Sequence, residues 1–82
     1  MFINKATNGK NNICGEQITT FRVKQGLSQR QLADRLQLMG LDIDKNAIQR
    51  IEAGKRFVTD IELIYFAELF HTSFDILLGK SE

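Results

Sequence analysis

Three times in this chain a short polar residue opens a segment that a glycine closes: Ser28 to Gly40, Asp44 to Gly54 and Ser73 to Gly79. A fourth segment opens in the same way at Thr59. Ser, Thr and Asp accept a hydrogen bond from the orphan N–H groups of a helix's first turn, and glycine takes the left-handed conformation that ends one. In LSQRQL, Gln31 stands three residues after Ser28; in VTDIEL, Glu62 stands three after Thr59. Both are capping boxes. Apolar residues bracket three of the starts, pairing Leu27 with Leu32, Ile43 with Ile48 and Val58 with Leu63 as hydrophobic staples. With no proline and no strand-like alternation, the chain is expected to be all-α, a compact bundle of five helices.

Periodicity assigns each helix an inner stripe. Helix 1, from about Gly15 to Gln25 and ended by Gly26, aligns Ile18, Phe21, Arg22 and Gln25. Helix 2 buries Leu32, Ala33, Leu36 and Met39; helix 3 buries Ile48 and Ile51; helix 4 buries Leu63, Ala67 and Phe70; helix 5 is anchored by Ile76, Leu77 and Leu78. Residues 15–79 form one domain. Residues 1–14, rich in Asn, Lys and Gly and without periodicity, are expected to be a flexible arm, and residues 80–82 a tail.

Several functions are disfavoured at once. The single Cys14 excludes an internal disulfide framework, which makes a reducing cytoplasm the default location. No apolar run approaches the ~18 residues of a membrane span, and MFINKATNGKNNICGE lacks the apolar stretch of a leader peptide. One histidine, no Gly-rich phosphate loop and no acid/base constellation argue against an enzyme, so no catalytic residue, metal, cofactor or small-molecule ligand is expected. His71, with no second histidine to share a metal, is expected to cap or pack helix 4.

The net charge of +1 says little, but its distribution says more. Residues 22–56 hold eight Lys/Arg against four acids; residues 57–82 hold one Lys against five acids. One half of the fold is basic and suits an anionic partner. Within it lies DKNAIQRIEAGKR, residues 44–56. Once Ile48 and Ile51 face the core, Asn46, Gln49 and Arg50 point the opposite way, with Lys45 at the margin. These are the side chains that read base edges in a major groove: Arg bidentate to guanine, Asn or Gln to adenine. The start of helix 2, with Ser28 and Gln29, offers unpaired N–H groups to a phosphate, and Lys55 and Arg56 follow helix 3 as further backbone contacts. Arg22 on an apolar stripe and Glu52 beside the core face of helix 3 need each other, and an interhelical ion pair between them is expected.

The runs FRVKQGLSQRQLADRL and AIQRIEAGKR, with the closing SFDILLG, together resemble the Cro/phage-repressor type (XRE-like) helix-turn-helix family over roughly residues 15–79. The resemblance implies a lambda-repressor-like bundle that binds double-stranded DNA and represses or otherwise regulates transcription, usually as a dimer; helices 4–5, on the acidic half, are the expected homodimer seam. It implies base contacts by Lys45, Asn46, Gln49 and Arg50, phosphate contacts by Gln29, Lys55 and Arg56, and an internal ion pair Arg22–Glu52. The segment QLMGLDIDK makes the turn between helices 2 and 3 longer than is usual in the family, and His71 stands where a glycine is usual. The alternative is a protein-interaction module, such as an antitoxin or adaptor, held by a partner through the acidic half. Phe57, Tyr65, Phe66 and Phe74 would then supply an apolar patch, or else fill the core or a homodimer seam.

Overall fold

A computed structural model describes residues 5–6 and 8–80 of the chain. Five helices follow one another: α1 (Gly15–Lys24), α2 (Gln29–Met39), α3 (Lys45–Glu52), α4 (Asp60–Phe70) and the single turn α5 (Phe74–Leu77), with no strand among the described residues.

Their starts are side-chain capped as the sequence requires, α1 excepted. Ser28 accepts from the Gln31 N–H at 3.0 Å and Gln31 returns a bond to the Ser28 N–H; Thr59 and Glu62 do the same for α4. Asp44 accepts from Ala47 at 2.8 Å, and Ser73 from Ile76 at 3.2 Å. Each such cap contributes about 1 kcal/mol. The ends share one geometry. In α3 the Gly54 N–H bonds to the Ile51 carbonyl and the Lys55 N–H to the Arg50 carbonyl, with Gly54 at φ 77°. α4 ends identically, but at His71, whose φ of 53° makes it the one non-glycine at positive φ among the described residues. That occupancy as a helix cap is the role expected for it.

The core forms where the helices converge. α3 packs on α1 and α2; α4 packs on α1, α2 and α5. Ile18, Leu32, Leu36, Ile48, Ile51, Phe66 and Leu77 are fully buried, drawing on every helix. An eight-residue helix is not stable alone in water. α3 is held by Ile48 and Ile51, each contributing about 1.5–3 kcal/mol on burial, and by its two terminal motifs.

Four readings need correction. Gln25, aligned with the inner stripe of helix 1, is exposed and stands past the end of α1 as its C-cap. Met39 is 37% exposed rather than buried, because Leu41 and Ile43 of the long turn fold back and cover the end of the core in its place. The Leu41 N–H bonds to the Leu36 carbonyl and the Gln37 side chain donates to the Ile43 carbonyl at 2.7 Å, fixing that turn. Ile76 is 46% exposed, since a one-turn helix presents only part of its circumference to the core, and Leu77 takes that place. Residues 1–4 and 7 of the expected arm, and 81–82 of the tail, lie outside the described residues. Residues 10–14, also assigned to the arm, are fastened to the rest of the molecule. Asn11 donates to the Gly54 and Lys55 carbonyls, Asn12 donates to the Ile51 and Arg56 carbonyls at 3.0 and 2.8 Å and accepts from Gly15, and Cys14 is buried. Against this strap the start of α1 meets the end of α3 backbone to backbone: a Cβ on Gly15 would collide with the Ile51 carbonyl oxygen.

Candidate nucleic-acid interface

The 44–56 segment divides cleanly between an inner and an outer face. Ile48 and Ile51 are fully buried, while Lys45, Asn46, Gln49 and Arg50 are all exposed. None of these four side chains makes a hydrogen bond or ion pair within the protein among the described residues. The α3 N-cap, the buried pair of isoleucines and the closed C-terminal turn hold the backbone beneath them, so the outer side chains are presented from a fixed rod with their polar ends in water.

The end of this rod is tied at three points. The Arg22 guanidinium donates to both Glu52 oxygens, Nε–Oε2 at 2.7 Å and Nη2–Oε1 at 3.1 Å, and a third N–H reaches the Leu27 carbonyl at 2.8 Å. Side chains of this pair are only 15% and 7% exposed, so each charge is compensated almost entirely by the other. The Gln29 side chain adds a donor to Glu52 Oε1 at 3.0 Å. Thus α1, the start of α2 and the end of α3 meet on one carboxylate. The Asn11–Asn12 strap holds the same end through the Ile51, Gly54, Lys55 and Arg56 carbonyls. Its role was not legible beforehand: bonds from side chain to distant backbone leave no periodic signature in a sequence.

The four expected phosphate contacts divide two and two. Ser28 and Lys55 are exposed; the Ser28 hydroxyl accepts the Gln31 N–H and retains its own proton to donate. Gln29 and Arg56 are otherwise engaged. Gln29 is half-buried against Glu52. Arg56 donates to the two oxygens of Glu62 at 3.0 and 2.9 Å and to the Phe57 carbonyl at 3.1 Å, binding the loop after α3 to the start of α4. Burial alone would push the Glu62 carboxyl up, but hydrogen bonds from Arg56 and Thr59 outweigh it and hold the carboxyl below its ordinary range. The same hydrogen bonding raises the Arg56 guanidinium, against the lesser effect of its own desolvation. A carboxylate this near a cation was foreseeable only as a helix cap, not as its neutralising partner, because the loop between them had no predictable path.

The other half of the surface has different chemistry. α4 and α5 enclose an apolar groove lined by Leu63, Ile64, Phe74 and Leu78 with Asp60 at its edge, and Ile61 beside it is 61% exposed. Of the aromatics considered for such a patch, Phe66 is fully buried, Tyr65 half-buried, and Phe57 and Phe74 are about half exposed. No three His, Cys, Asp or Glu side chains among the described residues are placed to hold a metal. Burial pushes the Cys14 thiol up to about 11, so it remains protonated at neutral pH. No described helix is long and apolar enough to cross a membrane.

No curated protein and no solved structure matches the chain. A family model described as helix-turn-helix matches residues 18–77, which takes in all of α2 and α3, most of α1, and α4 and α5 as far as Leu77. With that match over most of its length, five helices of this order and a polar third helix on the surface, the chain belongs to the Cro/phage-repressor type (XRE-like) helix-turn-helix family of DNA-binding regulators.

Proposed function

We propose that the protein is a sequence-specific repressor that places α3 in the major groove of double-stranded DNA. The observation that carries this reading is the exposed, unengaged set Lys45, Asn46, Gln49 and Arg50 on a helix whose inner face is fully buried. A helix anchored this way gives up little side-chain and backbone freedom beyond its four outer groups on binding, and those groups match base edges. Ser28 and Lys55 serve as phosphate contacts, Gln29 uses its remaining amide proton there, and Arg56 sets the path of the loop that carries Lys55. The protein works in the cytoplasm as a homodimer through α4 and α5. Ile61, Ile64 and Phe74 would be covered at that seam, and two α3 helices would then lie about 34 Å apart, one turn of duplex.

Selection of bound sites from random duplexes tests the reading directly. Wild-type protein is expected to enrich a two-fold symmetric site, and Gln49→Ala and Arg50→Ala to lose preference at particular base pairs. Equal weakening on every sequence would show that the two side chains touch only the backbone. The exposed α4–α5 groove supports a second reading, an adaptor or antitoxin that seats a partner protein there. That reading predicts negligible DNA affinity at any salt concentration, whereas a DNA binder loses affinity steeply as salt rises.

A further inference from the structure

The end of α3 and the loop behind it carry carbonyl groups that a helix end ordinarily leaves to water. Four of them are claimed here by residues 39 to 44 positions earlier in the chain. The Asn12 Nδ2 donates one proton to the Ile51 carbonyl at 3.0 Å and the other to the Arg56 carbonyl at 2.8 Å, while its Oδ1 accepts the Gly15 N–H at 2.9 Å. One side-chain amide thus fixes both ends of the loop to each other and to the start of α1. The Asn11 backbone N–H takes the Gly54 carbonyl at 2.8 Å, and its side chain takes the Lys55 carbonyl at 3.0 Å. The Lys10 stem lies on Gly54: a Cβ there would come within 2.6 to 3.0 Å of the Lys10 Cβ, Cγ and Cδ. Arg56 ties the same loop to Glu62. Between these anchors the Lys55 side chain is exposed and forms no ion pair among the described residues. Residues 10–12 stand ahead of the matched helix-turn-helix region.

We propose that Asn11 and Asn12 are positioning residues for DNA binding: they hold the backbone of the 51–56 segment so that Lys55 meets a phosphate without further ordering. Neither side chain touches DNA itself. A cation on a free loop gives up backbone freedom at each residue when it grips a phosphate, and a loop already fixed by the protein's own hydrogen bonds has given it up on folding. The proposal rests on the DNA-binding reading above and adds to it how that phosphate contact is held. Asn11 separates positioning from folding. Its Oδ1 is buried without a partner among the described residues, so Asn11→Ala removes an unsatisfied acceptor together with the one hydrogen bond to Lys55. Asn12→Ala would delete three bonds at once and lower stability as well.

A double-mutant cycle on the duplex recovered by selection tests this, at a temperature where every variant is folded. Lys55→Ala is expected to weaken binding and to shrink the log–log salt slope by about 0.9. Asn11→Ala should weaken binding by about three- to tenfold, the equivalent of one ordinary hydrogen bond, with the slope unchanged because the cation is still there. In the Lys55→Ala background the same Asn11→Ala change should cost nothing further. Amide exchange in the free protein gives a second readout. In Asn11→Ala the Gly54 and Lys55 N–H groups should exchange faster, while that of Leu32 in α2 keeps its wild-type rate. Equal cost in both backgrounds, no cost in either, or a Lys55→Ala protein that binds as tightly as the wild type would overturn the proposal and leave the DNA-binding reading standing. Faster exchange throughout the molecule would assign Asn11 to global stability and overturn it as well. Failure of the wild type to bind any duplex would overturn that reading and this one with it.

Discussion

The two halves of this molecule solve the same problem with opposite materials. Around α2 and α3 the interior is aliphatic, with Leu32, Leu36, Ile48 and Ile51 fully buried, and the exterior is polar except at the end of α2, where Leu38 and Met39 are exposed. Around α4 and α5 the interior is aromatic: Phe66 is fully buried, Phe70 nearly so, and Phe21 of α1 stacks on Phe70 with ring centroids 5.3 Å apart. The exterior of that half sets apolar side chains among its acids, with Ile61 61% exposed and Ile64 and Phe74 about half exposed. Each half also carries one bidentate Arg–Glu pair. Arg22–Glu52 joins three helices beneath the polar face; Arg56–Glu62 joins a loop to the start of α4. The contrast teaches that orientation and adhesion are separated here. One half is stiffened so that polar groups can be aimed, and the other leaves apolar area that another surface can cover.

The strongest way to break the contrast is to empty the aromatic half. Phe66→Ala should cost about 3–5 kcal/mol in chemical denaturation, since the ring is fully enclosed and its removal leaves a cavity. A cost under about 1 kcal/mol would mean that the two halves do not share a core. Somewhat smaller is the effect expected beneath the polar face. Glu52→Ala leaves the Arg22 guanidinium with little solvent and no carboxylate, at a cost of about 3 kcal/mol. It should weaken DNA binding even at temperatures where the variant is fully folded, because α3 loses its tie to α1 and α2. Unchanged stability and unchanged affinity together would remove this ion pair from the account.

The second ion pair responds to acid. The Glu62 carboxyl is held below its ordinary range in the folded protein, so the folded state binds its proton less readily than the unfolded chain does. Its contribution is then fully present at neutral pH and is lost as pH falls below the ordinary carboxylate range and through the folded value. Stability followed from about pH 5 to about pH 3 should fall more steeply in the wild type than in Glu62→Gln, whose amide has no charge to lose. Parallel curves would show that Arg56 does not favour the ionised carboxyl. The smallest effect belongs to the end of α4. His71→Gly removes the strain of a side chain at φ 53° and is expected to raise stability by up to about 1 kcal/mol, offset in part by the greater freedom of the unfolded chain. A loss of stability would show that the imidazole makes a packing contribution larger than its strain.

Much of this architecture is written locally. Helix ends were readable because their signals act over three to five residues: Ser28 with Gln31, Thr59 with Glu62, Gly54 with the last turn of α3. The α3 faces were readable because Ile48 and Ile51 fix the rotation of so short a helix. Inference weakened where partners are distant along the chain. Met39 was assigned to the core by periodicity, but Leu41 and Ile43 take its place through a turn whose fold depends on the Gln37 side chain. Gln29 and Arg56 have the right charge and hydrogen-bonding capacity for phosphate, yet carboxylates 23 and 6 residues away engage them.

By itself, then, the order of residues determined five helices, their limits, and which side of the third helix meets water, since caps, glycines and apolar spacing act within a turn or two. Only the packed molecule decided which cations stay in solvent and which are neutralised, and that Asn11 and Asn12 strap the end of α3. Those outcomes depend on which groups the fold brings within hydrogen-bonding distance across 6 to 44 residues of chain. No local preference specifies such approaches, because they come from the simultaneous burial of the whole core.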